Sequence, residues 1–282
     1  MTRCAIGQPE AQDCSIIPYF RVPSKPSAAG SPTAPFEDRK VQIDFSSREI
    51  TVKLVYYGPA LSGKTTNLQA LHKLADSTSR GRLMTLETRD DRTLFFDLLP
   101  LRFKGEGDLA LRLKLFTVPG QVIHASTRRL VLQGADGVAF IADSQISETQ
   151  NNAMAFLDLK ENLKAHGRQM RDVPCVIQFN KRDLPNTRTH EELVALAAKG
   201  REPVFAAVAT QGVGVLETFM ALLHLTWSSL DGTHGLGEKF RIDPNAFLNH
   251  VIERMGATTT LDKILGVSLG GSFTIRNTEA GR

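Results

Sequence analysis

Several features that would narrow a protein's role on their own are scarce in this chain. Its 282 residues include three cysteines, Cys4, Cys14 and Cys175. That odd count, with no metal-knuckle spacing, excludes a disulfide framework. The histidines are scattered with no ligand pair at helical spacing, so no protein-built zinc site is expected. No apolar run approaches the ~18 residues of a membrane span. The N-terminus lacks the apolar stretch of a secretory signal. Thr2 and the closing Glu-Ala-Gly-Arg signal neither myristoylation nor prenylation. Nor does one charge dominate: 34 Lys and Arg against 30 Asp and Glu leave +4. With no basic run interleaved with aromatics, nucleic acid is not an expected partner. The expected setting is soluble, reducing and cytoplasmic, with no integral membrane segment.

What remains is ordinary globular composition, 41% hydrophobic, enough for one generous domain or one domain with tails. Residues 1–40 are rich in Pro, Ser and Ala, with Pro23, Pro26, Pro32 and Pro35 close together. Such a stretch buries too little apolar surface to offset its ordering entropy and is expected to be disordered. An initiation codon assigned too far upstream would leave the same signature. A hairpin opens at about Val41, and Ile50, Val52, Leu54 and Tyr56 alternate as a first core strand. Helices are expected at Lys64–Leu74, Glu148–His166, Glu191–Ala198 and Gly214–Leu230. Strands are expected at Thr93–Phe103, Leu109–Phe116, Gly137–Ala142, Cys175–Phe179 and Val204–Val208. This alternation predicts an α/β fold over residues 41–230: a mixed, mostly parallel six-stranded sheet with helices on both faces. Leu216, Phe219, Leu223 and Trp227 form a packing stripe on the last helix. Residues 231–282 read as an extension with one short amphipathic helix, capped by Asp243 with Pro244 at its first position and closed by Gly256.

The strongest chemical signal is Gly58-Pro59-Ala60-Leu61-Ser62-Gly63-Lys64-Thr65, the G-x-x-x-x-G-K-[ST] phosphate loop. It lies between an apolar strand and a helix, the context that confirms such a match. From average residue usage the pattern arises by chance about once per hundred chains of this length, so a plain Gly-rich turn is disfavoured. The backbone of Gly58, Leu61, Ser62 and Gly63 would wrap the phosphates at a helix N-terminus. Lys64 would reach the β- and γ-phosphates, Thr65 would ligate Mg²⁺, and Thr66 would complete the turn.

Asn180-Lys181-Arg182-Asp183 follows the strand Cys175–Phe179. A carboxylate at Asp183 accepts from guanine's N1–H and exocyclic amine. Adenine, with the opposite donor pattern, would leave buried groups unpaired. Downstream of a phosphate loop this four-residue motif favours GTP and GDP over ATP. Between the two motifs stands Thr117-Val118-Pro119-Gly120-Gln121. Gly120 would offer its N–H to a γ-phosphate and Gln121 would orient the attacking water; an ordinary strand-to-helix turn is the alternative. Upstream, Thr93 would close over Mg²⁺ and the γ-phosphate when GTP is bound, as a two-state switch does. Arg92 reads either as an intrinsic arginine finger or as an exposed loop charge or partner contact.

Seven strings carry a resemblance over about residues 43–230. They are Phe45-Ser46-Ser47-Arg48-Glu49-Ile50, Tyr56-Tyr57-Gly58-Pro59, Asp91-Arg92-Thr93-Leu94-Phe95-Phe96-Asp97 and Thr117-Val118-Pro119-Gly120-Gln121, with Ala142-Asp143-Ser144-Gln145, Asn180-Lys181-Arg182-Asp183-Leu184-Pro185-Asn186 and Gly212-Val213-Gly214-Val215. The chain resembles the MglA family, bacterial Ras-like GTPases of gliding motility and cell polarity. The resemblance implies a Ras-like G domain with GTP/GDP and Mg²⁺, recruitment to a cell pole, polarity or motility effectors, and a roadblock-type (MglB-like) dimer that stimulates hydrolysis. It also implies that Arg92 is the intrinsic arginine, Thr93 the switch threonine and Gln121 the water-positioning glutamine. Most Ras-like proteins carry Asp where this chain has Thr117; MglA-like proteins share the threonine.

A hydrolysing switch is therefore the leading reading, with catalysis on Lys64, Thr65, Thr93, Arg92 and Gln121. The alternative is a GTP-binding interaction scaffold with weak or no hydrolysis. An ATP-dependent kinase or transporter ATPase is disfavoured by Asn180–Asp183 and by the absence of an acidic strand end at Thr117.

Overall fold

The alternating residues of the first core strand sit at the centre of a sheet. The computed structural model describes residues 42–86, 96–105, 109–120 and 125–273. Short β1 (Gln42–Asp44) turns through an Asp44-anchored bend into β2 (Glu49–Tyr57). Then follow α1 (Lys64–Leu74), β3 (Met84–Leu86), β4 (Phe96–Lys104), β5 (Ala110–Thr117), α2 (Ala125–Leu132), β6 (Gly137–Asp143), α3 (Thr149–Ala165), β7 (Cys175–Asn180), α4 (His190–Ala197) and β8 (Val204–Ala206). Four more helices follow among the described residues: α5 (Val215–His234), α6 (Leu236–Phe240), α7 (Pro244–Arg254) and α8 (Leu261–Gly266).

The sheet runs β3-β4-β5-β2-β6-β7-β8, with β1 paired to β2. Pairs β2–β5, β2–β6, β6–β7 and β7–β8 are parallel, while β1–β2, β3–β4 and β4–β5 are antiparallel. The sheet is mixed and mostly parallel, but eight-stranded rather than six. The additions are the edge strands β1 and β3, each of three residues, and β3 is too short to show alternation. Strand β8 stops at Ala206, short of the expected Val208, and β4 is described from Phe96, the residues expected before it lying outside the described ones.

Two cores lie on the two faces. On one, Leu54, Leu99, Leu113, Leu68 and Phe219 join α1 and α5 to the sheet. On the other, Val55, Phe140, Val131 and Leu159 join α2 and α3. Strand β6, between them, is buried along its whole length. The stripe Leu216, Phe219, Leu223, Trp227 is buried throughout, as its spacing demands.

The C-terminal residues differ from expectation, forming three helices where one was foreseen. Helix α7 begins as the sequence implies, with the Asp243 carboxylate accepting from the N–H groups of Asn245 and Ala246. Its Phe247 stacks on Trp227 with ring centres 5.3 Å apart. Phe240, Leu248, Val251, Met255, Leu261 and Ile264 enter the same core as β4 and β5. The last described turn lies along the free edge of β8, where Leu269 donates to the Val204 carbonyl at 2.8 Å. This covers an edge that would otherwise present unpaired backbone groups. The head, residues 1–40, lies outside the described residues.

Candidate functional site

Parallel strands end together, and their C-terminal edge is where open α/β sheets gather ligand-binding loops. Here that edge carries the loop after β2, the turn after β5 and the loop after β7.

The first of these loops leads into α1 in a way that calls for an anion. Gly63 caps the helix in the left-handed region (φ 96°), no side chain caps it, and its first turn holds no acid. A helix start normally attracts a carboxylate or a hydroxyl acceptor. Here the first-turn residues are Lys64, Thr65 and Thr66, so the amides and dipole are left for an external anion. Only glycine fits at 63: a Cβ there would meet the Asn180 side-chain nitrogen at 2.1 Å. Leu61, by contrast, is held at φ 60° and is 88% exposed. That backbone costs about 1–2 kcal/mol for a residue with a side chain, strain stored on the loop itself.

Lys64 is buried and donates to the carbonyls of Gly58 (3.0 Å) and Pro59 (2.6 Å). Burial first, and then the nearby Arg128 guanidinium, push its ammonium down to about 8, against a smaller opposing pull from Asp97. An incoming phosphate would reverse that balance.

Asp97 was not singled out by sequence reasoning. It stands on β4, 7% exposed. Its Oδ2 accepts from the hydroxyls of Thr65 (2.6 Å) and Thr117 (3.0 Å), and its Oδ1 from that of Thr85 (2.9 Å). The Asp97 N–H returns a bond to Thr117 Oγ1 at 2.9 Å. Among the described residues this carboxylate has no ion-pair partner. A buried carboxylate served only by hydroxyls is an expensive arrangement unless a cation is brought to it. The hydroxyl of Thr65 and the carboxylate of Asp97, backed by Thr117, are oxygen donors of the kind Mg²⁺ takes alongside phosphate oxygens. The signal was readable: Asp97, Leu99, Leu101 and Phe103 form the inward stripe of β4, and a charge on such a stripe needs a reason.

Asn180 ties the second motif to the first. Its Nδ2 donates to the Ser62 carbonyl and its Oδ1 accepts from the Ala209 N–H, each at 2.9 Å. Lys181, at φ 65°, pairs with Asp143 at 2.6 Å. The Asp183 carboxylate is exposed at the rim of a pocket lined by Leu61, Gly63, Thr66, Asn180, Lys181, Asp183, Leu184, Ala209 and Thr210. The loop at Ala209 and Thr210 carries no sequence motif, and the Asn180 bond places it against the pocket.

Gly120 packs on the phosphate loop so closely that a Cβ would come within 2.3 Å of the Ala60 backbone. The structure thus brings together Gly58, Leu61, Ser62, Gly63, Lys64, Thr65, Thr66, Gly120, Asn180, Lys181 and Asp183. Arg92, Thr93 and Gln121 lie outside the described residues.

Compared with profiles of known protein families, the chain matches none. It is 46% identical over 188 residues to the mutual gliding-motility protein MglA of Myxococcus xanthus (strain DK1622). That match spans 67% of this chain and 96% of the relative. The chain belongs to the MglA family of Ras-like small GTPases. Its mixed, mostly parallel sheet flanked by helices is that of a Ras-like G domain, and a third of its length lies outside the match. No helix among the described residues is long and apolar enough to cross a membrane.

Proposed function

We propose that this protein is a GTP-binding switch that hydrolyses GTP to GDP and phosphate and serves cell polarity or gliding motility. The observation that carries the reading is the uncapped start of α1, with buried Lys64 beside it and a pocket tied to it by Asn180. In this reading the amides of residues 61–65 and Lys64 bind the β- and γ-phosphates. Asp183 reads the guanine edge, and Lys181, held by Asp143, packs beneath the base.

Thr65, together with Asp97 and Thr93, would hold Mg²⁺, which when bound neutralises charge on the β- and γ-phosphates. Asp97 takes the part that an aspartate at position 117 plays in other Ras-like proteins. Gln121 orients the attacking water, Gly120 offers its N–H to the γ-phosphate, and Arg92 offsets charge that develops during transfer. Catalysis is then chiefly positioning and electrostatics, with slow turnover until a partner orders the switch segments. By family, that partner is a roadblock-type (MglB-like) dimer, and the GTP form is the one recruited to a cell pole, where it meets motility or polarity effectors.

The test is phosphate release from GTP, alone and with a roadblock-type dimer from the same genome. Slow basal release accelerated many-fold by the dimer supports the switch. Tight GTP binding with no release in either condition would replace it with the scaffold reading.

A further inference from the structure

Three core positions carry polar, uncharged side chains where their elements call for apolar ones. Helix α1 turns Lys64, Asn67, Leu68 and Leu71 inward, at the spacing of a helix's packing face. Asn67 on that face, Gln178 on β7 and Thr218 on α5 are each fully buried. Such groups are costly to bury unless they find partners, and these three find one another. Gln178 Nε2 donates to Asn67 Oδ1 at 3.0 Å and to Thr218 Oγ1 at 2.9 Å.

Both arms then end in the same way. Asn67 Nδ2 donates to the Gly63 carbonyl at 2.9 Å, and the Thr218 hydroxyl donates to the Gly214 carbonyl at 2.6 Å. Each carbonyl also accepts the backbone N–H of that same residue, four positions on. Gly63 and Gly214 are the N-caps of α1 and α5, both in the left-handed region at φ 96° and 73°, and neither helix has a side-chain cap. The three side chains therefore tie one helix start to the other through β7.

Strand β7 continues to Asn180, two residues on and so on the same face. Asn180 joins the Ser62 carbonyl to the Ala209 N–H. The two residues stand as successive rungs. Asn180 links the phosphate loop to the loop at 209–214, and Gln178 links the helices into which those loops lead. Ala209 and Thr210 line the pocket, whereas Asn67, Gln178 and Thr218 do not. Stability does not explain the second rung. Gln178 Oε1 is buried with no partner among the described residues, a cost that an apolar side chain would avoid. What a directional polar network provides is one fixed arrangement of the elements it joins.

We propose that Asn67, Gln178 and Thr218 form a positioning clasp that fixes the loop at 209–214 relative to the phosphate loop, and thereby sets the preference for guanine nucleotide. The proposal rests on the reading of the pocket as a guanine-nucleotide site. With the clasp intact, the phosphates at α1 and the base beside Asp183 and Ala209 are held at one spacing. Without it the start of α5 shifts, and base contacts are lost while phosphate contacts remain.

The test uses the full chain with Gln178→Leu, Thr218→Val and its conservative counterpart Thr218→Ser, and a triple variant combining Asn67→Leu, Gln178→Leu and Thr218→Val. The triple variant replaces every member by an apolar side chain of similar size, so its urea midpoint should equal or exceed the parent's. GDP and ADP are each competed against a fluorescent GDP analogue. In Gln178→Leu and in the triple variant the GDP dissociation constant should rise at least about tenfold, while that of ADP changes by less than about threefold. Thr218→Ser should keep the parent's preference and Thr218→Val should lose it. Hydrogen exchange at residues 209–214 of the nucleotide-free triple variant should speed up by about tenfold. A folded triple variant with the parent's GDP affinity would overturn the clasp, as would an equal loss of GDP and ADP. A parent chain that binds GDP and ADP alike would overturn the guanine reading and the clasp with it. Asp183→Asn is the separate control. If it keeps the guanine preference while the clasp variants lose it, the role given to Asp183 fails and the clasp stands.

Discussion

Replacing Asp97 with asparagine separates two roles that its position combines. In the folded chain three hydroxyls, from Thr65, Thr85 and Thr117, converge on its carboxylate at 2.6, 2.9 and 3.0 Å. A hydrogen bond to a charged acceptor contributes about 1.5–3 kcal/mol, and one to a neutral acceptor about 1 kcal/mol. Asparagine keeps the shape and one accepting oxygen, so each bond weakens by about 1 kcal/mol. Against this, the variant no longer buries a charge, which itself costs several kcal/mol. The two effects nearly cancel, and stability without nucleotide should change by no more than about 1 kcal/mol.

The metal has no such compensation. Removing a supporting carboxylate typically lowers metal affinity by about 10–100-fold, or about 1.4–2.7 kcal/mol. The assay is retention of a fluorescent GDP analogue while free Mg²⁺ is titrated, alongside urea unfolding of the nucleotide-free protein. The Mg²⁺ midpoint should rise by one to two decades while the urea midpoint barely moves. A folded Asp97→Asn protein with an unaltered Mg²⁺ midpoint would refute the reasoning. A second variant guards against trivial failure. Adding Thr117→Asp to Asp97→Asn returns a carboxylate from the neighbouring strand and should recover most of the lost affinity. Thr117→Asp alone places two buried carboxylates side by side and should destabilise the fold.

Three further outcomes follow from other parts of the structure. Asp183→Asn should cost guanine nucleotides at least about 100-fold in affinity, since two charge-assisted bonds are lost. It should also favour xanthine nucleotides, whose oxygen at the 2-position suits the new amide, and unchanged GDP and ATP affinities would remove Asp183 from base reading. Phe247→Ala, which removes a buried ring stacked on Trp227, should cost about 3–5 kcal/mol in urea unfolding. GDP affinity under native conditions should stay as it was, and a loss below about 1 kcal/mol would mean that α7 docks loosely. Asp136 is held by burial at a pKa of about 6, up from 3.8. Between those values the folded state keeps a proton that the unfolded state has lost, so stability falls as pH rises, and the cost is complete above about pH 6. Asp136→Asn should therefore stabilise by about 3 kcal/mol at pH 7.5 and lose that gain near pH 4, whereas a gain independent of pH would contradict the assignment.

Much of the fold was readable because the sequence repeats its message locally. The phosphate loop announces both the strand before it and α1 after it, and the 64–74 boundaries match those expected. The α5 stripe and the Asp243-Pro244 start of α7 are equally local signals. Helix α2 was missed for a physical reason. It has eight residues, and adjacent Arg128 and Arg129 interrupt its apolar spacing, because one of them is buried in an ion pair rather than exposed. Helices α6 and α8 have five and six residues, too few for a period to emerge. Asp97 was legible only as a charge on an inward stripe; what it serves depends on Thr65 and Thr117, which are distant in sequence and meet it only in the folded sheet.

That pairing bears on why the C-terminal helices belong with the site at all. The β4–β5 register sets Leu98 opposite Phe116, so Asp97 and Thr117 fall on one face, toward Thr65. A slip of one residue would turn Asp97 to the other face and empty the cluster. The inward residues of β4 continue from Asp97 through Leu99 and Leu101 to Phe103, all buried. At the far end of this stripe, Phe247 lies against Gly105, and Phe247, Leu248 and Met255 share one core with Leu99, Leu101 and Phe103. At the near end, β3 pairs with only three residues of β4, which is weak support for a strand carrying a buried charge. The apolar grip at the far end offsets that weakness, because residues in one interdigitated stripe cannot slide past a packed neighbour without opening a cavity. The described part of the C-terminal segment acts through packing. It holds in register, from the opposite end of the sheet, the strand that brings a carboxylate to the phosphate site.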